Sequence, residues 1–305
     1  MSRARTSKDI WLARILDRFD ELLHNYPILP KKSLTERSLP FKIGSKITIK
    51  NYNTFLHNYG SSGYKFWFNL NNDTKTGEVY IIDMASTVYE DVVSRIQEFF
   101  KVPNNGFVDD PLIRVSGQPL HNDPSGIGVE IAPDVAIRPS MAVVQRPVTS
   151  TRIPPPPSDK GVAVGQGVGQ LGRKCSTWML EPYVRAVISI KILVPRPGVQ
   201  EPGTGYLFRS MTAKLYRQGM AIKVWDFGNV KKNSRDPLGD INDPTLCNAP
   251  NDPRFQINIP ISEVFWDPPS PIPSIYVPVI PTNVISKNFN IDLYWIQRAA
   301  LQAKI

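Results

Sequence analysis

The first period along the chain is helical. Ile10, Trp11, Ile15, Leu16, Phe19, Leu22 and Leu23 recur at helical spacing opposite Arg14, Asp17, Arg18 and Glu21, and Pro27 and Pro30 follow. An apolar stripe with a charged opposite side predicts an amphipathic helix, ended by prolines that cannot continue it. Alternation then takes over. Residues 41–49 and the run Tyr-Lys-Phe-Trp-Phe-Asn-Leu at 64–70 predict strands, with Asn71, Asn72 and Asp73 as the turn after the second. A further strand is expected over 77–84. The helix after it puts Val88, Val92, Ile96 and Phe99 or Phe100 on one face, with Ser86 or Thr87 as its N-cap.

From Asn104 onward turn residues dominate until 129–137, which predicts a strand with Pro133 at a bulge or edge. A proline-rich loop, 146–158, with Pro154 to Pro157 consecutive, separates it from a strand over 161–164. A helix over 171–180 leads to a strand over 184–194. The C-terminal third predicts short strands over 220–227 and 255–259 between proline-rich loops, then a helix over 292–301. Strand, helix, strands, helix and strand in this order predict an α/β (α+β) fold, with a mixed sheet flanked by helices and extensions at both ends.

Composition supports a globular chain: 305 residues with 41% hydrophobic and 10% aromatic side chains can bury a real core. The net charge of +9 changes the picture more. Basic residues crowd the first fifty positions, namely Arg3, Arg5, Lys8, Lys31, Lys32, Lys42, Lys46 and Lys50. Such a surface attracts polyanions, of which nucleic acid is the commonest, although a solubilising charge excess explains net charge equally well. Cys175 and Cys247 exclude a disulfide framework and a cysteine zinc site, and His24, His57 and His121 are scattered without ligand spacing. The basic start carries no apolar secretory segment, and the most apolar run, 186–194, is short and interrupted by Lys191. An intracellular protein, nuclear or cytoplasmic, without a membrane partner is expected.

Candidate chemistry centres on Ala132-Pro133-Asp134-Val135-Ala136-Ile137, where a carboxylate interrupts an apolar strand and must find a cation, a donor or water. Most such aspartates bond a turn amide or an arginine. Taken with Glu78-Val-Tyr-Ile-Ile-Asp-Met84, the helix from Val88, Pro133-Asp134-Val135, and Lys174 four residues before Trp178, the segment resembles the putative restriction endonuclease domain of the PD-(D/E)xK nuclease superfamily. The resemblance covers roughly 77–194. It implies a restriction-endonuclease-like core over 77–196, a basic N-terminal segment over 1–76 and a proline-rich β extension over 197–305 packed on the core.

In that family an Asp and a Glu jointly hold a divalent ion that activates water and neutralises the scissile phosphate, while a Lys helps position the water. The resemblance gives Asp134 and Lys174 two of those roles, with Mg²⁺ as the metal. The departure is central: Gly161 stands where the metal-binding Glu belongs, and Gly165 where a Ser is expected. Gln166 is the candidate replacement ligand, with Asp159 as a second. Glu130, four residues from Asp134 along one strand, would be about 13 Å away, too far to share an ion.

A second motif, Gly167-x-Gly169-x-x-Gly172, matches the dinucleotide-binding fingerprint. Ile190 and Lys191 occupy the region where the fingerprint needs an acidic residue for the ribose, so the match is treated as accidental. The expectation is a degenerate nuclease-like protein that binds DNA and cleaves weakly or not at all, a metal-dependent endonuclease if active. The alternative is a noncatalytic protein-interaction module that uses the proline-rich loop and the basic surface.

Overall fold

The computed structural model describes residues 25–303 apart from 36–37, 72–74, 107–108, 118–119, 123–125, 145–159, 166–169, 182, 197, 199, 233–244 and 269–274. The predicted helix over 10–23, the proline-rich loop, Asp159 and Gln166 therefore lie outside the described residues. The chain divides into two compact units, Met1–Ala85 with Gly128–Glu130, and Ser86–Ile127 with Ile131–Ile305. Among the described residues no helix is long and apolar enough to cross a membrane.

The first unit is an antiparallel sheet of β1 (Phe41–Thr48), β2 (Tyr64–Leu70) and β3 (Thr76–Met84), in the order β1-β3-β2, with one helix, α1 (Ile49–Tyr59). Alternation in β3 is strict, and its buried positions include Val79 and Ile81. The sequence reading missed α1, whose three asparagines and β-branched residues are poor helix formers. Tertiary packing overrides that preference. Tyr52 stacks on Phe68 and Phe55 meets Phe66 edge-on, each at 4.8 Å between ring centres. The hydroxyl of Thr48 accepts from the Asn51 amide at 3.2 Å and caps the start.

The second unit is built on a six-stranded sheet. Its strands are β4 (Ile113–Gly117), β7 (Val135–Pro139), β8 (Lys160–Gly165), β9 (Ala186–Ile192), β10 (Ser210–Arg217) and β11 (Lys223–Gly228), in the order β11-β10-β9-β8-β7-β4. The numbering leaves β5 (His121–Asn122) and β6 (Glu130–Ile131) for two-residue strands outside this sheet. Neighbours are antiparallel except β8 and β9, which run parallel through α3 (Gln170–Trp178), so the expected mixed sheet is present.

One face of the sheet is sealed. Ile188, Ile190, Ile192, Met211, Ala213, Leu215 and Phe227 form a core with α2 (Thr87–Lys101) and α4 (Leu293–Gln302). The apolar face expected on α2 is the buried one, including Val88, Val92, Ile96 and Phe100, and Ser86 is its N-cap, accepting from the Tyr89 amide at 3.2 Å. A two-stranded ladder of β12 (Gln256–Pro260) and β13 (Asn288–Asp292) closes the same core, with Phe289 edge-on to Phe100 at 4.9 Å. The C-terminal extension thus supplies β10 and β11 to the main sheet and α4 to its core. Conversely, β3, which the resemblance places at the head of the nuclease core, pairs with β1 and β2 in the first unit.

The strand expected over 129–137 is interrupted. Ala132, Pro133 and Asp134 separate β6 from β7, because Pro133 offers no amide to a ladder. Glu130 is accordingly not on one strand with Asp134. It belongs to the first unit, where its carboxylate pairs with His57 Nε2 at 3.0 Å and its amide donates to Asn53 at 3.1 Å.

Candidate functional site on the six-stranded sheet

Alternation along β9 separates two environments. Ile188, Ile190 and Ile192 enter the main core, whereas Val187, Ser189 and Lys191 point to the opposite face. Register carries that opposite face across the sheet: Ser189 pairs with Ala163 on β8 and Lys214 on β10, and Lys191 pairs with Gly165 and Thr212, which in turn faces Asp226. A smaller core of Cys175, Trp178, Val184, Val187 and Tyr216 packs α3 here. A side chain begun at Gly172, within α3, would stand 3.8 Å from the Tyr216 hydroxyl oxygen, so helix and sheet lie in contact.

Both residues that the resemblance singles out come to this face. Asp134, buried, immediately precedes β7, and Lys174, half-buried, is on α3 beside Cys175. The Cys175 thiol lies within electrostatic reach of Lys174, Asp134 and Lys214 and hydrogen-bonds with Ser189. Ser189 also reaches the Tyr216 hydroxyl. Burial dominates the titration of the thiol, which is pushed up to about 12, while Lys174, Ser189 and Lys214 oppose the rise and Asp134 adds to it. Cys175 is therefore a protonated packing group at neutral pH.

A direct consequence is chemical silence. Cys247 is buried too, and its thiol is likewise raised to about 12, by burial first and then by Asp292 and Asp252. At pH 8 only about one thiol in ten thousand would be ionised, and thiolate is the reactive form. Iodoacetamide is expected to leave the folded protein unmodified by mass and to add two groups in urea; rapid labelling of either cysteine in the folded chain would contradict this burial. Because folding raises these values, the associated stability is complete below the unfolded thiol value of about 8.5 and is lost as pH climbs towards 12.

The register also shows where the second carboxylate that the resemblance calls for would stand. Gly161 pairs with Ala136, two residues beyond Asp134, and the ladder ends at Val135 with Val162; one further step in the same register would set position 163 opposite Asp134. Direct cross-strand neighbours are about 5 Å apart and diagonal ones about 7–8 Å, so an acid at either position would come within reach of Asp134. Neither residue is acidic. Among the described residues no three His, Cys, Asp or Glu side chains gather as a metal-binding group. The donor set is one carboxylate beside a protonated thiol, which fits Mg²⁺ poorly because that ion requires several oxygen ligands.

The glycine motif is divided. Gly167 and Gly169 lie outside the described residues, and Gly172 is in α3. The β8-α3-β9 unit does have the strand, helix and parallel strand that the fingerprint needs, yet Ile190 and Lys191 still stand where its ribose-binding acid belongs. In the first unit Lys31, Lys32, Lys46 and Lys50 are exposed, while Lys42 is engaged by Glu78 at 3.0 Å.

Sequence reasoning overlooked Ser189, Lys191, Lys214 and Tyr216. The available signal was polar residues at alternate positions of otherwise apolar strands, Val-Ile-Ser-Ile-Lys-Ile and Met-Thr-Ala-Lys-Leu-Tyr, which marks a second sheet face that carries polar side chains. No protein-family model matches the chain, and no curated protein matches it.

Proposed function

We propose that the second unit carries a degenerate PD-(D/E)xK nuclease-like core that binds DNA and hydrolyses phosphodiesters weakly or not at all. The observation that carries this reading is convergence: Asp134, before β7, and Lys174, on α3, come from separate elements and both act on the Cys175 thiol at one face of a mixed sheet. A buried carboxylate beside lysines is the remnant expected of a site that once balanced metal, phosphate and a positioning cation. The second carboxylate is missing at position 161, and at 163 as well. Mg²⁺ would therefore be held poorly, and DNA binding is the more durable part of the activity.

The test is nicking of supercoiled plasmid in Mg²⁺ or Mn²⁺ by the natural protein, Asp134→Ala, Gly161→Glu and Ala163→Glu. Silence from the natural protein is expected, with cleavage regained in at least one of the two glutamate variants and lost again when Asp134→Ala is added. Cleavage by the natural protein that Asp134→Ala abolishes would make it a working nuclease with a further ligand. Silence from every variant would remove the nuclease assignment and favour a noncatalytic interaction module.

A further inference from the structure

The arm of chain from Gln200 to Arg209, which leads into β10, builds one wall of a cavity. Gly203 and Gly205, at φ 89° and 71°, turn the arm back on itself, with the Glu201 amide donating to the Tyr206 carbonyl at 2.7 Å and the Gly205 amide to the Glu201 carbonyl at 3.1 Å. Gln200 bridges to Leu207, and the Arg209 amide donates to Asn229 Oδ1 at 2.8 Å. The last turn of α4 supplies the other wall. Between them lies a cavity of about 330 Å³, lined by Tyr206, Leu207 and Arg209 and by Ala300, Leu301 and Ala303.

The two walls differ in polarity. Among the described residues no acidic side chain lines the cavity, and the acid of the arm, Glu201, accepts from the Thr204 hydroxyl at 2.6 Å. The cation of the lining is Arg209, which is only 5% exposed. A guanidinium matches a carboxylate through paired hydrogen bonds, and shielding from water strengthens them. At the other wall the last bond of α4 runs from the Ala303 amide to the Ala299 carbonyl at 3.3 Å, so the carbonyls of 300–302 have no partner within the helix and carry the negative end of its dipole. That end suits an ammonium group. The remaining surface, from Leu207, Leu301, the alanines and the Tyr206 ring, is apolar, and the Arg298 guanidinium lies 5.3 Å from the centre of that ring.

A simple carboxylate would meet the negative end of α4 without a donor to offer it. An amine without a carboxylate would face Arg209 with like charge. A small zwitterion with an apolar side chain satisfies both walls and the surface between them. We infer that this cavity binds a free α-amino acid with an apolar side chain, its carboxylate on Arg209 and its ammonium on the α4 carbonyls. Neither Asp134 nor Lys174 is part of the lining, so occupancy does not depend on the nuclease-like reading.

The experiment is saturation-transfer NMR of L-phenylalanine with the full chain, beside phenylpropionate and phenylethylamine, analogues that each lack one of the two charges. A ligand of this size is expected to bind with a Kd of about 1 mM or tighter, and each analogue at least about tenfold more weakly, because one charged partner in the cavity is left unmatched. Arg209→Gln should weaken L-phenylalanine at least about tenfold and remove its advantage over phenylethylamine. Ala303→Phe, at a half-buried position, should fill the cavity and abolish binding. Melting temperatures check that both variants fold, and Ala303→Phe serves if Arg209→Gln does not.

Phenylpropionate or phenylethylamine binding as well as L-phenylalanine would overturn the amino acid as occupant. Undiminished L-phenylalanine binding in either folded variant would overturn the site. Absence of transfer to L-phenylalanine at about 10 mM would overturn both.

Discussion

Gly228→Ala is expected to unfold the second unit, or to cost it at least about 3 kcal/mol, by urea denaturation followed with circular dichroism. Gly228 ends β11 at φ 120°, a backbone conformation that side-chain-bearing residues rarely adopt. A Cβ there would stand 2.3 Å from the Arg209 carbonyl oxygen and 2.9 Å from Ser210 Cα, so the strand pair could not close. The backbone shift would break more than one contact. Gly228 donates its amide to Gln297 of α4 at 2.9 Å, and its carbonyl accepts from the Thr245 hydroxyl. Gln297→Ala is the graded companion: it leaves that buried amide without its acceptor and should cost about 1–3 kcal/mol. A Gly228→Ala protein as stable as the natural one would disprove the close approach between β11 and β10.

Glu263→Ala should cost about 2–4 kcal/mol, with little dependence on salt. Glu263 closes the turn after β12, accepting from Arg185 Nε at 3.0 Å and from Arg217 Nη2 at 2.8 Å. Arg185 precedes β9 and Arg217 ends β10, so a single carboxylate fastens the C-terminal segment to two strands of the main sheet. All three side chains are less than one-fifth exposed, which weakens solvent screening. The Arg185 guanidinium also lies 4.0 Å from the centre of the Trp266 ring. Removing the carboxylate leaves two guanidinium groups facing each other without a counter-charge, the expensive way to break a buried pair. Replacing all three with methionine should recover most of the loss, since an apolar trio carries no uncompensated charge. Equal melting of the natural protein and Glu263→Ala would show that the clamp contributes nothing.

How much was legible beforehand differs from element to element. The α2 helix with its buried face and a cap at Ser86 or Thr87, the strand Tyr64–Leu70, and a helix from about Asp292 were expected from the sequence, and the structure chooses Ser86 as the cap. In α4 the Asp292 side chain accepts from the Tyr294 amide at 2.9 Å. By contrast α1, β4, β10 and β13 were not foreseen. Thr48 as a cap and the spacing of Tyr52, Phe55, Leu56 and Tyr59 were signals for α1, but its asparagines masked them. For β4 the cause is non-local. The Asn104 side chain supplies a ladder in miniature, donating to the Ile113 carbonyl at 2.8 Å and accepting from its amide at 3.0 Å.

Local chemistry determined what each segment could become: which residues alternate, where prolines forbid a ladder, and which hydroxyl or carboxylate starts a helix. Those effects act over one or two turns of chain, so they are written in consecutive residues. Tertiary structure alone decided which strands pair and therefore which polar residues meet. Asp134, Lys174, Ser189, Lys191 and Lys214 are scattered over eighty residues of sequence. The sheet joins Ser189, Lys191 and Lys214 because hydrogen-bond register, set by burying Ile188, Ile190, Met211 and Ala213 on one face, leaves every alternate residue no choice but the other, and α3 packed on that face brings Lys174 to it.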